Sequence, residues 1–326
     1  MVFILQKTFL FAVPLLIVAL AGVFAERSGI INIALDGMMI FGSFIGALTV
    51  YLIQTKVTDY HPQLTFIIAM IVSAAAGAIF SLLLSFSAIN LKADQTIGGT
   101  ALNMLAPAVA LFFIKVFFLQ DKLEMPKSLQ FVILNDNADN ISDFAKIFTD
   151  KAYISTYIVI LLFIILSIFL YKTKTGLRLR ACGEHPQAAD SVGINVRRMR
   201  YLGTTISGAL GGLGGYVYIA TTSGGTCEGT VAGYGFLALA IMIFGNWKPL
   251  GIAAGSMLFG FLRCISATYS FLDINGDGIC SLNNLGLPMY FYNMLPYIAV
   301  LIVLAFTSKK SRAPKAEGIP YDKGQR

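Results

Sequence analysis

Residues 172–200 read KTKTGLRLRACGEHPQAADSVGINVRRMR, the longest strongly basic interruption of an otherwise apolar chain. It contains Lys172, Lys174, Arg178, Arg180, Arg197, Arg198 and Arg200. Short loops this basic stay in the cytoplasm, so this one stretch fixes the sidedness of everything around it. Its middle, GEHPQAADSVGIN, predicts a helix laid along the membrane surface. Pro186 suits a first helical turn. Gln187 to Val192 supply about two turns of the 3.6-residue period, and Gly193 ends them. A short surface helix held between membrane spans suits the docking of a soluble partner. An ordinary loop, basic only because cytoplasmic loops are, fits the same residues equally well.

Outward from that loop the chain is membrane protein. Of its 326 residues, 56% are hydrophobic and 13% charged, and mean hydropathy is +0.74. Soluble domains carry about 25% charged residues. The apolar runs are long enough for helices of about 20 residues and lack the alternation of an outer-membrane barrel. The net charge of +7 does not indicate nucleic acid, because the positive residues sit between spans. No cleavable signal peptide is expected. Residues 8–25 are apolar, but Glu26 and Arg27 lead straight into more apolar sequence rather than a small-residue cleavage region.

The candidate spans are 8–25, 29–54, 64–91, 96–118, 152–172, 201–221, 230–246, 250–270 and 288–306. The expected fold is therefore an all-α polytopic membrane protein of about nine transmembrane helices (roughly 8–10), some broken or re-entrant. With loop 172–200 inside, 26–28, 92–95, 247–249 and the tail fall inside as well. Residues 55–63, 119–151, 222–229 and 271–287 fall outside. Arg27, Lys92, Lys248 and the tail's Lys309, Lys310, Arg312, Lys315, Lys323 and Arg326 then join the loop's seven on one face, while 119–151 holds six acids against four lysines. The two basic clusters obey the positive-inside rule together, and the amino terminus comes out outside. The domain reading is a transmembrane unit over 1–308 and a basic cytoplasmic tail over 309–326.

The junction FAERSGIINIALDGMM places Glu26, Arg27, Asn32 and Asp36 in an apolar region. On a helix, Asn32 and Asp36 would share a face. Ionisable groups in membrane segments usually face a polar interior or a pathway. Gly29 and Gly37 suggest a broken helix, a means of offering backbone groups to a substrate. Glu26 and Arg27 are expected at the interface. For Asp36 a buried structural hydrogen bond and a pathway role stand equal. Lys115 is expected to snorkel, and Arg263 to pair with Asp36 or line a cavity. In ISGALGGLGGY, Gly208 and Gly212, and Gly211 and Gly215, have the GxxxG spacing of close helix packing. This is no phosphate loop, and the chain has no nucleotide-binding motif, so ATP dependence must come from another polypeptide. DINGDG at 273–278 imitates a calcium loop but has Asn284 at the twelfth position, so a turn-rich loop is expected. No CxxC or histidine pair suggests a metal site. A Cys227–Cys280 disulfide is open to two outside cysteines in an oxidising compartment; two reduced thiols are the alternative.

Three stretches together resemble one family. ERSGIINIALDGMM resembles the signature of inner-membrane permeases of ATP-binding-cassette importers, in the superfamily of ribose and branched-chain amino-acid permeases. GLRLRACGEHPQAADSVGINVRRMRYLGTTISGALGGLGG resembles that family's coupling loop and following span. APKAEGIPYDKGQR resembles the ends of its nucleoside and simple-sugar subgroup. The resemblance implies one of two permease subunits, the second expected to be a paralogue, in the bacterial inner membrane. Two ATPase subunits, binding ATP and Mg, would dock inside, and an extracytoplasmic substrate-binding lipoprotein would deliver substrate outside. By the same resemblance Gly183, Glu184, Pro186, Ala188, Ala189 and Gly193 meet the ATPase, and Asn32, Asp36 and Gly37 lie near the pathway. Asp36 departs from the glutamate expected in many relatives. Ribose-type permeases carry one more span, which would precede residue 1.

The implied activity is nucleoside import by alternating access, with no enzyme activity and no cofactor in this chain. Simple sugars, riboflavin-like vitamins and branched-chain amino acids are alternatives for the same machinery. Phe44, Phe112, Phe113 and Tyr234 could stack on a base, but membrane spans are rich in aromatics in any case. An ion-coupled secondary transporter should show inverted repeats and several intramembrane acids; Asp36 is the one convincing candidate. A passive channel should work without a partner.

Overall fold

The structure, a computed structural model, describes residues 2–126, 131–133, 152–269, 288–307 and 312–323. The described helices are α1 (Val2–Arg27), α2 (Leu35–Lys56), α3 (Pro62–Ser85), α4 (Gln95–Phe118), α5 (Ile154–Lys172), α6 (Lys174–Glu184), α7 (Pro186–Ser191), α8 (Val196–Thr221), α9 (Tyr234–Phe244), α10 (Pro249–Thr268) and α11 (Met289–Thr307). Two minimal antiparallel ladders accompany them. One pairs β1 (Leu123–Glu124) with β4 (Thr226–Cys227); the other pairs β2 (Val132–Ile133) with β3 (Ala152–Tyr153).

The fold is all-α, and each of the nine expected spans contains a described helix. Six of these, α1 to α5 and α10, are long and apolar enough to cross a membrane. The full count of nine does not follow from that criterion. α8 is long but begins with Arg197, Arg198 and Arg200 and is rich in glycine. α9 has only 11 residues, about 16 Å of helix against a hydrocarbon core of about 30 Å. It is a half-span closed at its amino end by Gly233 in the left-handed region (φ 71°).

Local chemistry sets several boundaries. Pro62, Pro186 and Pro249 occupy first turns, where the missing N–H costs nothing. Asp94 caps α4 by accepting from Thr96 N and Ile97 N at 2.8 and 3.0 Å. Asn195 caps α8 through Arg198 N at 3.0 Å. A π-turn over Phe86–Asn90 closes α3.

α8 runs through the middle, packed on α1, α2 and α3. Its glycines make a backbone seam. A Cβ on Gly215 would stand 1.9 Å from the Met39 carbonyl oxygen, and one on Gly208 2.3 Å from Ser81 Cβ. Polar pairs reinforce the seam: Ser85 Oγ and Thr204 Oγ1 lie 2.5 Å apart. Small residues and interhelical hydrogen bonds replace the hydrophobic effect where lipid surrounds the bundle. α3, α4 and α5 turn apolar side chains such as Ile79, Phe117 and Leu161 outward, the face a bilayer covers.

The segments read as lying on one side of the membrane meet at one end of the bundle. Arg27 pairs with Glu184, Lys92 with Asp322, and Trp247 with Glu26. At the opposite end β1 pairs with β4, and Gln63 Nε2 donates to the Phe131 carbonyl at 3.3 Å. Lys115 does not stand alone there: its Nζ lies 3.1 Å from Asp121. Residues 312–323 do not hang free as a separate tail but pack along the Arg27 end. The DINGDG loop, Cys280 and residues 134–151 lie outside the described residues.

Candidate functional site: a broken helix pair and its coupling segment

α1 ends at Arg27 and α2 begins at Leu35. The residues between are non-helical, with Gly29 at φ 95°. In a bilayer the freed backbone groups must be satisfied within the protein, and α4 supplies the partners. Gln95 Oε1 accepts from Ile31 N at 2.7 Å. Two turns further on, Asn103 Oδ1 accepts from Gly37 N at 2.7 Å while its Nδ2 donates to the Ile33 carbonyl at 2.9 Å. Gly37 has no room for a side chain: a Cβ would meet the Leu102 carbonyl oxygen at 2.8 Å. Sequence reasoning singled out Gly37 but missed Gln95 and Asn103. The signal was available for Asn103, a carboxamide inside an apolar span, but not for Gln95, which falls in the 92–95 segment between spans.

Asn32 and Asp36 do not share a helix face, because Asn32 lies in the break. Its side chain is fully buried, and Nδ2 donates to Ser207 Oγ of α8 at 2.8 Å. Asp36 stands in the first turn of α2, where Oδ1 accepts from Gly235 N at 2.9 Å. That carboxylate therefore sits at the amino end of α9, where helix dipole and free N–H groups favour an anion.

Arg263 bonds elsewhere than to Asp36. Its Nη2 donates to the Ala232 carbonyl at 2.9 Å and to Tyr297 Oη at 3.0 Å. Its guanidinium lies 5.2 Å from the Tyr234 ring centroid and 5.4 Å from that of Tyr297. Tyr218 lies against Tyr234 with ring centroids 4.5 Å apart and the rings tilted by 50°. The amino end of α9 thus gathers a carboxylate, a guanidinium and three tyrosines. Phe44 and Phe113 lie apart from this group, stacked at 6.3 Å between α2 and α4. Cys227 is a buried free thiol 3.7 Å from Ser43 Oγ.

The basic loop holds more helix than its sequence suggests. α6 precedes the expected surface helix, and Thr173 caps it by accepting from Gly176 N at 3.1 Å. One face of α6, with Leu179, Cys182 and Gly183, is buried. Burial pushes the Cys182 thiol up to about 11, so this cysteine stays protonated and inert. α7 begins at Pro186 as expected and ends at Ser191, just before Gly193 (φ 83°), whose N–H donates to the Asp190 carbonyl at 2.9 Å. Pro186 and Ala189 face inward, whereas Ala188 is exposed. Gly183 presses on the foot of α1 so closely that a Cβ would lie 2.4 Å from the Arg27 carbonyl oxygen. Beside it Arg27 Nη1 and Glu184 Oε1 are 3.3 Å apart. The segment 183–193 and the α1–α2 break are one packed unit.

Glu26, at the same end of the bundle, is 5% exposed. Its Oε2 accepts from Trp247 Nε1 at 2.5 Å, and Tyr171 Oη donates to the Trp247 carbonyl. Trp247 and Asn246 are both left-handed, at φ 55° and 51°, a strain held by this packing. Glu317 reaches in from the carboxyl-terminal segment to meet Glu26. Burial pushes the Glu317 carboxyl up to about 7, opposed by its hydrogen bond with Glu26 and by Arg27. Two carboxyls in contact require a proton between them.

Residues 4–304 match the family described as branched-chain amino acid transport system / permease component. The guanosine ABC transporter permease protein NupQ of Bacillus subtilis is 39% identical over 99% of this chain and 97% of its own. The nucleoside ABC transporter permease protein NupC of Lactococcus lactis is 36% identical over the same shares. The guanosine ABC transporter permease protein NupP, also of Bacillus subtilis, is 24% identical over 77% of this chain and 70% of its own. No solved structure matches the chain. A polytopic helical bundle with a broken helix pair, matched along its whole length by transport subunits, belongs to the branched-chain amino acid transport system / permease component family, and this chain is a multi-pass membrane permease subunit of an ATP-binding-cassette transporter, not an enzyme.

Proposed function

We propose that this chain is one of two permease subunits of a nucleoside importer in the bacterial inner membrane. The amino terminus lies outside and the carboxyl terminus in the cytoplasm. A separate ATPase binds ATP and Mg, meets segment 183–193 and drives alternating access. An extracytoplasmic lipoprotein supplies the nucleoside. Two relatives named for guanosine and nucleosides, aligned nearly end to end, support the substrate class. Bacillus subtilis has two permeases named for guanosine, at 39% and 24% identity, which supports a paralogue as the second permease.

One observation carries the mechanism. Gly183 and Glu184 are packed directly on Arg27, at the edge of the α1–α2 break. A push on segment 183–193 therefore reaches the broken backbone without an intermediary. Asn32, Asp36, Gly37 and Arg263 lie at or beyond that break and are our pathway residues.

The test is purification from gently solubilised membranes with mass spectrometry, followed by nucleoside binding to the co-purified lipoprotein. An ATPase, a second permease and a nucleoside-binding lipoprotein are expected. A chain that purifies alone and catalyses ion-dependent uptake in liposomes defeats the reading.

A further inference from the structure

Residues 312–323 are fastened to four separate elements. Ala316 N donates to the Gly183 carbonyl at 2.9 Å, and Gly318 N to the Gly29 carbonyl at 3.3 Å. Arg200 of α8, 1% exposed, donates through Nη1 to the Ile319 carbonyl at 3.0 Å. Lys92 Nζ, from the turn between α3 and α4, lies 2.8 Å from Asp322 Oδ2. Tyr321 is 9% exposed and packs with Cys182, Ala189 and Val196 beneath segment 183–193. Three of these bonds use backbone groups of the segment, so its course is fixed independently of its own side chains.

Fixing that course builds a polar groove of about 450 Å³. One wall is the α7–α8 corner, with Asp190, Asn195 and Arg197. The other is the carboxyl-terminal segment, with Tyr321 and Lys323. Arg197 and Lys323 are exposed and outnumber Asp190, which leaves the groove net positive. At its lip Val192, an apolar residue, is 75% exposed. A positive groove beside an uncovered valine at the end of a surface helix fits a protein partner that brings an acidic segment.

We propose that residues 312–323 form one wall of the surface that receives the ATPase subunit, with Tyr321 anchoring that wall and Lys323 facing an acidic segment of the partner. This rests on the reading of 183–193 as the ATPase-coupling segment. The carboxyl terminus is then part of the docking site rather than a basic appendage.

The test places a photo-crosslinking amino acid at position 323, at 190 in the coupling segment, or at 122 at the opposite end, in the assembled transporter in membranes. Adducts to the ATPase from 190 and 323, and none from 122, are expected. An adduct from 190 with none from 323 overturns the proposal and leaves the coupling segment standing. None from either position overturns both. As a second readout, Lys323→Glu is expected to cut the co-purified ATPase about tenfold while Lys323→Arg keeps it, because like charges at an interface are strongly penalised. Equal ATPase recovery in both variants overturns the charge-matched wall.

Discussion

The Glu184 carboxylate lies 3.3 Å from the Arg27 guanidinium, 157 positions away in sequence. It joins segment 183–193 to the foot of α1. The pair is half-open to solvent on the Glu184 side, so its stabilising worth is about 0–1 kcal/mol.

Losing the contact should therefore impair transport without unfolding the protein. Glu184→Ala is expected to lower nucleoside uptake about tenfold, and deletion of 184–190 to abolish it, with membrane levels unchanged; tenfold corresponds to about 1.4 kcal/mol of coupling. Immunoblots of membranes beside radiolabelled uptake decide it. Wild-type uptake in the deletion removes 183–193 from the mechanism.

Asp36 is held at the amino end of α9 through one oxygen, which an asparagine also offers. Asp36→Asn should keep much of the uptake, while Asp36→Ala loses a hydrogen bond to a charged acceptor worth about 1.5–3 kcal/mol. Thermal unfolding in detergent should rank wild type above Asn and Asn above Ala. Full activity in both variants would make the residue a bystander.

The carboxamide of Asn103 satisfies two backbone groups at once, the Ile33 carbonyl in the break and Gly37 N in the first turn of α2. Asn103→Leu leaves Gly37 N and the Ile33 carbonyl without their partner, at about 1–3 kcal/mol each. Both thermal stability and uptake should fall, whereas Asn103→Gln should lose less. An unchanged melting temperature for the leucine variant would show that the break is not held by α4.

Glu317 gives the carboxyl-terminal segment a pH dependence. Docked, its carboxyl is pushed up to about 7 by burial; released, it returns to 4.5. The docked state binds the extra proton, so this contribution is full below about 4.5 and is lost as pH rises through about 7. Trp247 is the single tryptophan, and it bonds to the Glu26 that Glu317 meets. Its fluorescence should therefore change across that window, and Glu317→Gln should flatten the change. A titration that survives the glutamine substitution assigns it to another group.

Much of this was legible in sequence because the bilayer leaves few choices. Long apolar runs become helices, and the basic stretches Lys92, 172–200 and Lys323 gather at one end. Pro186 and Gly193 bracket α7 because their backbone preferences act locally. The glycines of α8 announced a close seam, though not that α2 and α3 share it. What failed needed tertiary knowledge. Asn32 and Asp36 read as one helix face because spacing cannot reveal that Gln95 and Asn103 stabilise an unwound stretch. Nothing near Glu26 in sequence predicts that Trp247 and Glu317 close over it. Arg263 lay within reach of a carboxylate by composition alone, but the tyrosines at the end of α9 took it.

The seam of α8 restricts how the molecule can change shape. Where a Cβ on Gly215 would collide with the Met39 backbone, and one on Gly212 would stand 2.4 Å from the Ser73 carbonyl oxygen, there is no lubricating layer of side chains. Helices meshed backbone to backbone neither slide nor roll without first separating. α2, α3 and α8 must travel as a single rigid piece, and the movement that opens one side of the membrane and closes the other has to occur along their margins, where side chains rather than main chains touch.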